Sequence, residues 1–289
     1  MQGSPLDLRE QPGLAVLARL VATMRRAWPD AEPLLVGAMA RDVLLSFAHG
    51  IRVARATTDM DFAFGLDGWN SFAGLRNALL ADGSFAEVPG VLHRLVFEQC
   101  HWVDLLPFGG VERADRSIAW PSPHVVEMTM LGYREAAAQA VAVRLPDDVV
   151  VAVASLPAQA VLKLLAWRDR RHERPGVDAG DLRLLLRSYL EAGNMERLYA
   201  DASQLLEASD YDHARAGAWL LGHDARKLLH PLANAGVTVA LDAVLDLLAT
   251  EIDPDGRLLL IGDMRSGDVQ IDLDLLGAFH AGLRGAATP

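Results

Sequence analysis

The feature that most limits what this chain can become is a change of pattern near residue 154. Before it, alternating or valine-rich runs of strand type are interleaved with helical ones. After it almost every segment carries apolar residues at helical spacing. The second part therefore holds no material for a sheet, and the sequence predicts an α+β (mixed α/β) fold: a small mixed sheet with flanking helices over 1–154, then a helical domain over 155–289. With 289 residues and 51% hydrophobic content, there is ample apolar material for buried cores. No internal repeat or low-complexity tract is present.

Leu14, Leu17, Leu20, Val21 and Met24 mark a first helix that Pro29-Asp30 ends. A short strand from Pro33 to Val36 follows, and Gly37 opens a second helix reaching about Phe47, with His49-Gly50 at its end. From Thr58 to Phe64 the pattern alternates, which puts Asp59, Asp61 and Ala63 on one side of a strand and Met60, Phe62 and Phe64 on the other. A helix from Trp69 to Ala81 precedes two strands, Leu92 to Phe97 and His101 to Leu106. These are close enough for a hairpin and are terminated by Pro107-Phe108-Gly109-Gly110. Val141 to Arg144 and Val149 to Val153 read as the last strands.

Ser155 is placed to cap a helix with Pro157 in its first turn, running to about His172. Further helices are expected over Ala179 to Ala192, Met195 to Glu207, His213 to Leu229, Val237 to Glu251 and Leu273 to Leu283, with Asp253-Pro254-Asp255-Gly256 as a turn.

Charge and composition narrow the function classes. A formal net charge of -11 opposes non-specific attraction to nucleic acid, so a polynucleotide substrate needs a local basic surface hidden by the sum. Of 27 basic residues only Lys163 and Lys227 are lysines, which raises the question of whether a compact ammonium is needed at either place. The single Cys100 has no partner for an internal disulfide and reads as a small buried or half-buried residue. None of the nine histidines shows the i, i+4 pairing of a zinc helix, and His93, His101 and His124 read as surface or strand-edge residues. No apolar run approaches the roughly 20 residues of a membrane helix, and the first residues lack a secretory signal, so no membrane partner and a cytoplasmic location are expected. The acidic C-terminal residues Asp246, Glu251, Asp253, Asp255, Asp268, Asp272 and Asp274 read as a solvated face.

Asp59 and Asp61, at i and i+2 on one strand face, and Asp104 on a nearby strand make a compact set of hard oxygen ligands suited to Mg2+ or Mn2+. Phosphoryl and nucleotidyl transfer need chiefly charge neutralisation, which divalent ions supply. Each carboxylate has a plainer reading: Asp59 and Asp61 as a solvated strand face, Asp104 at a sheet edge or accepting backbone hydrogen bonds. Gly37-Ala38, turning a strand into a helix, would present backbone N–H groups to phosphates, and Arg41 either reaches a phosphate or pairs with Asp42 or the Asp59 strand.

Val36-Gly37-Ala38-Met39-Ala40-Arg41-Asp42, Thr58-Asp59-Met60-Asp61-Phe62 and Val103-Asp104 together resemble the DNA polymerase beta-like nucleotidyltransferase superfamily. The likeness is greatest to AbiEii-type nucleotidyltransferases, the toxins of type IV toxin-antitoxin and abortive-infection systems. The resemblance implies that Gly37 and Ala38 contact the triphosphate and that Asp59, Asp61 and Asp104 bind divalent metal. Gly37-Ala38 departs from the usual Gly-Ser or Gly-Gly, which removes a hydroxyl but keeps the backbone contact.

The likeness continues through Lys163-Leu164-Leu165-Ala166-Trp167-Arg168-Asp169 and Val177-Asp178-Ala179-Gly180-Asp181-Leu182, over roughly residues 33 to 190. It implies that Lys163 holds nucleotide phosphates and that the downstream aspartate supports the site. Asp181 is taken for that role, and Asp178 reads as a helix cap. On that helix Val161, Leu162 and Leu165 make the expected buried stripe, and Lys163, Trp167, Arg170 and Arg174 a basic and aromatic side on which Trp167 would stack a base.

The implied activity is transfer of a nucleoside monophosphate from a nucleoside triphosphate, ATP among them, to an acceptor hydroxyl. The implied partners are that triphosphate, a tRNA 3' end or a protein as acceptor, and a cognate antitoxin, with the helical part completing the nucleotide site and binding the acceptor. Two rivals stay open: a small-molecule enzyme of the aminoglycoside-modifying kind, which suits an acidic protein because those drugs are cations, and a catalytically silent nucleotide- or partner-binding module.

Overall fold

The computed structural model describes residues 4–53, 57, 59–121, 127–201, 203–206, 211–230, 239–253 and 255–286. Thr58, His124, Glu207, Val237 and Pro254, each used in an expectation above, lie outside them. The chain divides into two units, Met1–Ser155 and Leu156–Pro289.

The first unit carries strands β1 (Leu6–Asp7), β2 (Leu34–Val36), β3 (Asp59–Leu66), β4 (Phe85–Glu87), β5 (Arg94–Phe97), β6 (His101–Gly109), β7 (Ser117–Ala119), β8 (Glu127–Thr129), β9 (Val141–Arg144) and β10 (Val150–Val153). Its helices are α1 (Ala15–Ala27), α2 (Gly37–Asp42, continued by wider turns through Phe47), α3 (Trp69–Ala81) and α4 (Tyr133–Ala138). Eight strands form a mixed sheet in the order β1-β9-β10-β2-β3-β6-β5-β4, with β7 and β8 pairing apart from it. Strand β3 is antiparallel to β2 and parallel to β6, and β6 is antiparallel to β5. The middle of the sheet is apolar: Leu35, Phe62, Phe64, Val103 and Leu105 are fully buried, which anchors the register because a slip by one residue would turn them outward.

The hairpin of β5 and β6 forms as expected, but Pro107 does not end β6, which runs on to Gly109. The N–H of Leu105 still donates to the carbonyl of His93 on the β5 side, at 2.7 Å. Two residues on, the imino nitrogen of Pro107 faces that same side beyond the last β5 residue paired with β6, where no ladder donor is required. At the hairpin turn Glu98 and Gln99 adopt positive φ (47° and 63°), and Cys100 is exposed there instead of half-buried.

The second unit holds α5 (Leu156–Arg170), α6 (Val177–Ser188), α7 (Arg197–Asp201), α8 (Ser203–Leu206), α9 (His213–Leu229), α10 (Val239–Glu251), α11 (Leu259–Met264) and α12 (Val269–Arg284). Helices α9 and α12 meet through two glycines. A Cβ on Gly222 would lie 2.1 Å from the Phe279 carbonyl oxygen, and one on Gly282 2.1 Å from that of Trp219.

The acidic tail is not wholly a solvated face. Asp272 is fully buried and accepts from Arg183 Nε at 2.7 Å; Glu251 is buried and accepts from the Leu260 backbone N–H at 2.8 Å, pinning α11 to the end of α10. Asp268 caps α12 by accepting from the Ile271 N–H at 3.1 Å, while Asp246, Asp253, Asp255 and Asp274 are exposed.

Candidate functional site: a carboxylate face on the sheet

The β3–β6 register sets Asp61 opposite Asp104 and Asp59 opposite Trp102, and the β5–β6 register sets Arg94 opposite Asp104. Partners in register project to the same side of a sheet, as do residues two apart on a strand. Asp59, Asp61, Trp102, Asp104 and Arg94 therefore share one face across three adjacent strands. The three aspartates picked from sequence are brought together there.

Arg94, which sequence reasoning did not select, organises this face. Its Nε donates to Asp104 Oδ1 at 2.5 Å and its Nη2 to Asp104 Oδ2 at 2.6 Å, a two-pronged clasp, while Nη2 also lies 3.7 Å from Asp59 Oδ2. Asp104 is only 9% exposed, so the solvent-facing reading of this residue is set aside; the guanidinium compensates the burial of its charge. The hydrogen bonds that Arg94 donates to Asp104, together with the nearby Asp59 and Asp61, raise its already high pKa. The Arg94 Cζ also sits 5.5 Å from the ring centroid of Trp102, which is 39% exposed.

Gly37 links β2 to α2 with φ +69°, and a Cβ there would stand 1.9 Å from Asp61 Oδ2. Only glycine leaves room for that carboxylate and accepts this backbone without strain. The turn and Asp61 are thus in direct apposition, with Ala38 buried behind them. Arg41 is fully buried, and its Nε and Nη2 donate to Asp42 Oδ1 at 2.9 and 2.6 Å, so of the roles expected for it the geometry shows the pairing with Asp42.

Magnesium is commonly held by one or two carboxylates completed by water and substrate phosphates. Asp59 and Asp61, on one face with the Asp61 carboxylate seated against the Gly37 turn, fit that requirement. Asp104 stands beside them with both oxygens engaged by Arg94, and among the described residues no group of three or more His, Cys, Asp or Glu side chains is arranged to hold a metal ion.

In the helical unit the second set of expected residues also assembles, but as a buried ion cluster. Lys163, 7% exposed, lies 3.1 Å from Asp178 Oδ1 and 2.6 Å from Asp181 Oδ2. Arg170 donates to Asp178 from Nε at 2.7 Å and Nη2 at 2.8 Å. Burial tends to raise the pKa of Asp178, but Arg170 and Lys163 outweigh it and hold the carboxyl below its usual value. Asp178 is therefore not the cap of α6, a position Gly176 occupies.

The expected helix faces of α5 hold in part, with Val161 and Leu165 buried and Arg170 and Arg174 exposed, but Lys163 and Trp167 join the buried side. Trp167 is buried, donates its indole N–H to Asp263 at 2.8 Å and is covered by Arg171, so it is not open for stacking, whereas Leu162 is half-buried. The ion cluster draws Lys163 inward, and Trp167, one turn later on the same stripe, follows it.

Among solved structures, the chain is similar to the antibiotic-resistance factor ANT(2'')-Ia in solution, with 15% identity and a TM-score of 0.37 over 66% of this chain and 95% of that one. It is also similar to ANT(2'')-Ia crystallised in complex with adenylyl-2''-tobramycin, with 17% identity and a TM-score of 0.37 over 66% of this chain and 98% of that one. No curated relative matches in sequence. The family model of the nucleotidyl transferase AbiEii toxin of type IV toxin-antitoxin systems matches residues 30–270, and the chain belongs to that family.

Proposed function

We propose that the protein transfers a nucleoside monophosphate from a nucleoside triphosphate to a hydroxyl of a tRNA 3' end or a protein, working as a cytoplasmic toxin restrained by a cognate antitoxin. The observation that carries the chemistry is the apposition of the Gly37 turn with Asp61 on a face shared by Asp59 and Asp104. A phosphate chain lying along the Gly37-Ala38 backbone would meet the carboxylate group directly.

Asp59 and Asp61 would hold Mg2+ or Mn2+, with Asp104 as the third carboxylate of the group. An ion there supplies neutralisation of charge on the phosphorus under attack and on the departing pyrophosphate. Gly37 makes room for the Asp61 carboxylate against the turn, and Arg94 fixes the direction of Asp104. Lys163 and Asp181 enter as nucleotide-binding residues on the family likeness alone, and their burial as an ion cluster gives them a structural role as well.

The test incubates the protein with labelled triphosphates, Mg2+ or Mn2+, bulk tRNA, bacterial protein extract and an aminoglycoside, alongside Asp59→Ala. Label is expected on tRNA or protein with the wild type and reduced about a hundred- to a thousandfold with Asp59→Ala, the order expected when a charge-stabilising group is removed. Label on the drug alone would discard the toxin reading. Equal absence of transfer from both proteins would leave a silent binding module.

A further inference from the structure

Trp102 is the one exposed tryptophan among the described residues, and it projects from the catalytic face itself, opposite Asp59 and two residues before Asp104. Large apolar side chains on a central strand are ordinarily covered, and its neighbours Val103 and Leu105 on the other face are fully buried. One side of the indole carries the Arg94 guanidinium, which is in turn tied to Asp104 and lies near Asp59. The ring is thus held in place while still presenting 39% of the residue to solvent.

Its place relative to the Gly37 turn gives the ring a side. In the strand order β2-β3-β6-β5 the turn leaves β2 on one flank of β3, and Trp102 and Arg94 stand on β6 and β5 on the other. In nucleotidyl transfer the acceptor oxygen forms a bond to the α-phosphorus as the bond to pyrophosphate breaks, and attacking and leaving oxygens lie roughly in line on opposite sides. With the phosphates at the Gly37 flank, the acceptor approaches from the flank of Trp102.

We infer that Trp102, steadied by Arg94, is the acceptor subsite: the indole stacks on a planar ring next to the reacting hydroxyl. The inference rests on the nucleotidyl-transfer reading above. It specifies a nucleobase, because a flat exposed indole offers a π-face on which any base can stack, with no hydrogen-bond code to read beyond ring shape.

The experiment measures transfer to a short single-stranded RNA and to bulk tRNA by wild type, Trp102→Ala and Trp102→Phe. Trp102→Ala is expected to raise the acceptor KM by about tenfold or more, in line with loss of one base–aromatic stack, with the triphosphate KM within about twofold of wild type and Trp102→Phe restoring most of the loss. In parallel, the RNA alone, without triphosphate, is expected to quench tryptophan fluorescence of the wild type and to leave that of Trp102→Phe nearly unchanged. Circular dichroism and thermal unfolding confirm that both variants fold. If Trp102→Ala shows wild-type acceptor KM, or if RNA quenches Trp102→Phe as it does wild type, the inference is overturned while the transfer reading stands. If the wild type transfers nothing, quenching still decides the stacking claim, and the reading itself fails separately.

Discussion

At the residue scale, Gly37 and Lys163 show how one atom group decides between a working arrangement and a broken one. Placing a methyl group on Gly37 would set carbon 1.9 Å from Asp61 Oδ2 at a backbone φ of +69° that L-residues rarely adopt. The carboxylate has to move, since the turn cannot. Gly37→Ala is therefore expected to lower kcat by at least about a hundredfold, as misplacement by an ångström does; wild-type kcat in a labelled-triphosphate assay would contradict the apposition. Lys163 is the opposite case, a residue whose proposed role and observed local role differ. Lys163→Met removes the buried cation shared by Asp178 and Asp181, while Asp178 keeps Arg170. Removing one partner of a buried pair costs about 3–5 kcal/mol, so thermal unfolding should show a Tm lower by about 6–15 °C. An unchanged Tm with a raised triphosphate KM would assign Lys163 to the nucleotide alone.

At the scale of elements, long patterned segments were legible and register was not. Helices α3 and α9 begin and end where the apolar spacing and turn residues place them, because each buries a stripe that the sequence displays. Strands β1, β4, β7 and β8, of two or three residues each, are too short to show alternation and exist only through their neighbours. The same limit hid Arg94: its place in a strand was readable, but that it faces Asp104 is a property of strand pairing. Ion clusters misled in the other direction: Asp178 reads as a helix cap and Asp272 as part of a solvated face until Lys163 on the preceding helix and Arg183 on a distant one pair with them.

The packed pair α9 and α12 also carries a pH response. Burial lowers the pKa of His223 on α9, helped by Lys227, and burial lowers that of His280 on α12, helped by Arg284. A depressed histidine pKa means that the unfolded chain binds the proton more readily. The stabilising contribution is then complete above the unfolded value near 6.5 and is lost as pH falls from there through the folded values. Denaturant midpoints should fall from pH 7 to pH 5, and His223→Gln with His280→Gln should flatten that fall. An equally steep decline in the double variant would place the acid sensitivity elsewhere.

At the scale of the whole molecule, a net charge of -11 has to be reconciled with an anionic nucleotide and, in the acceptor inference, an anionic polymer. The net charge opposes long-range attraction of RNA, so on the acceptor inference recognition is made at short range, by stacking and by few charge contacts. In the acceptor inference the exposed indole of Trp102 supplies that kind of recognition, beside a guanidinium already clasped by Asp104. Salt dependence separates this from a conventional basic groove. A protein contacting six to ten phosphates loses about 10^3–10^5 in affinity between 50 and 200 mM salt, whereas one or two contacts lose about tenfold or less. With Mg2+ held constant, RNA binding is expected to fall by no more than about tenfold over that range. A steep, groove-like slope would mean that arginines outside the carboxylate face, and not Arg94 and Trp102, dominate the encounter.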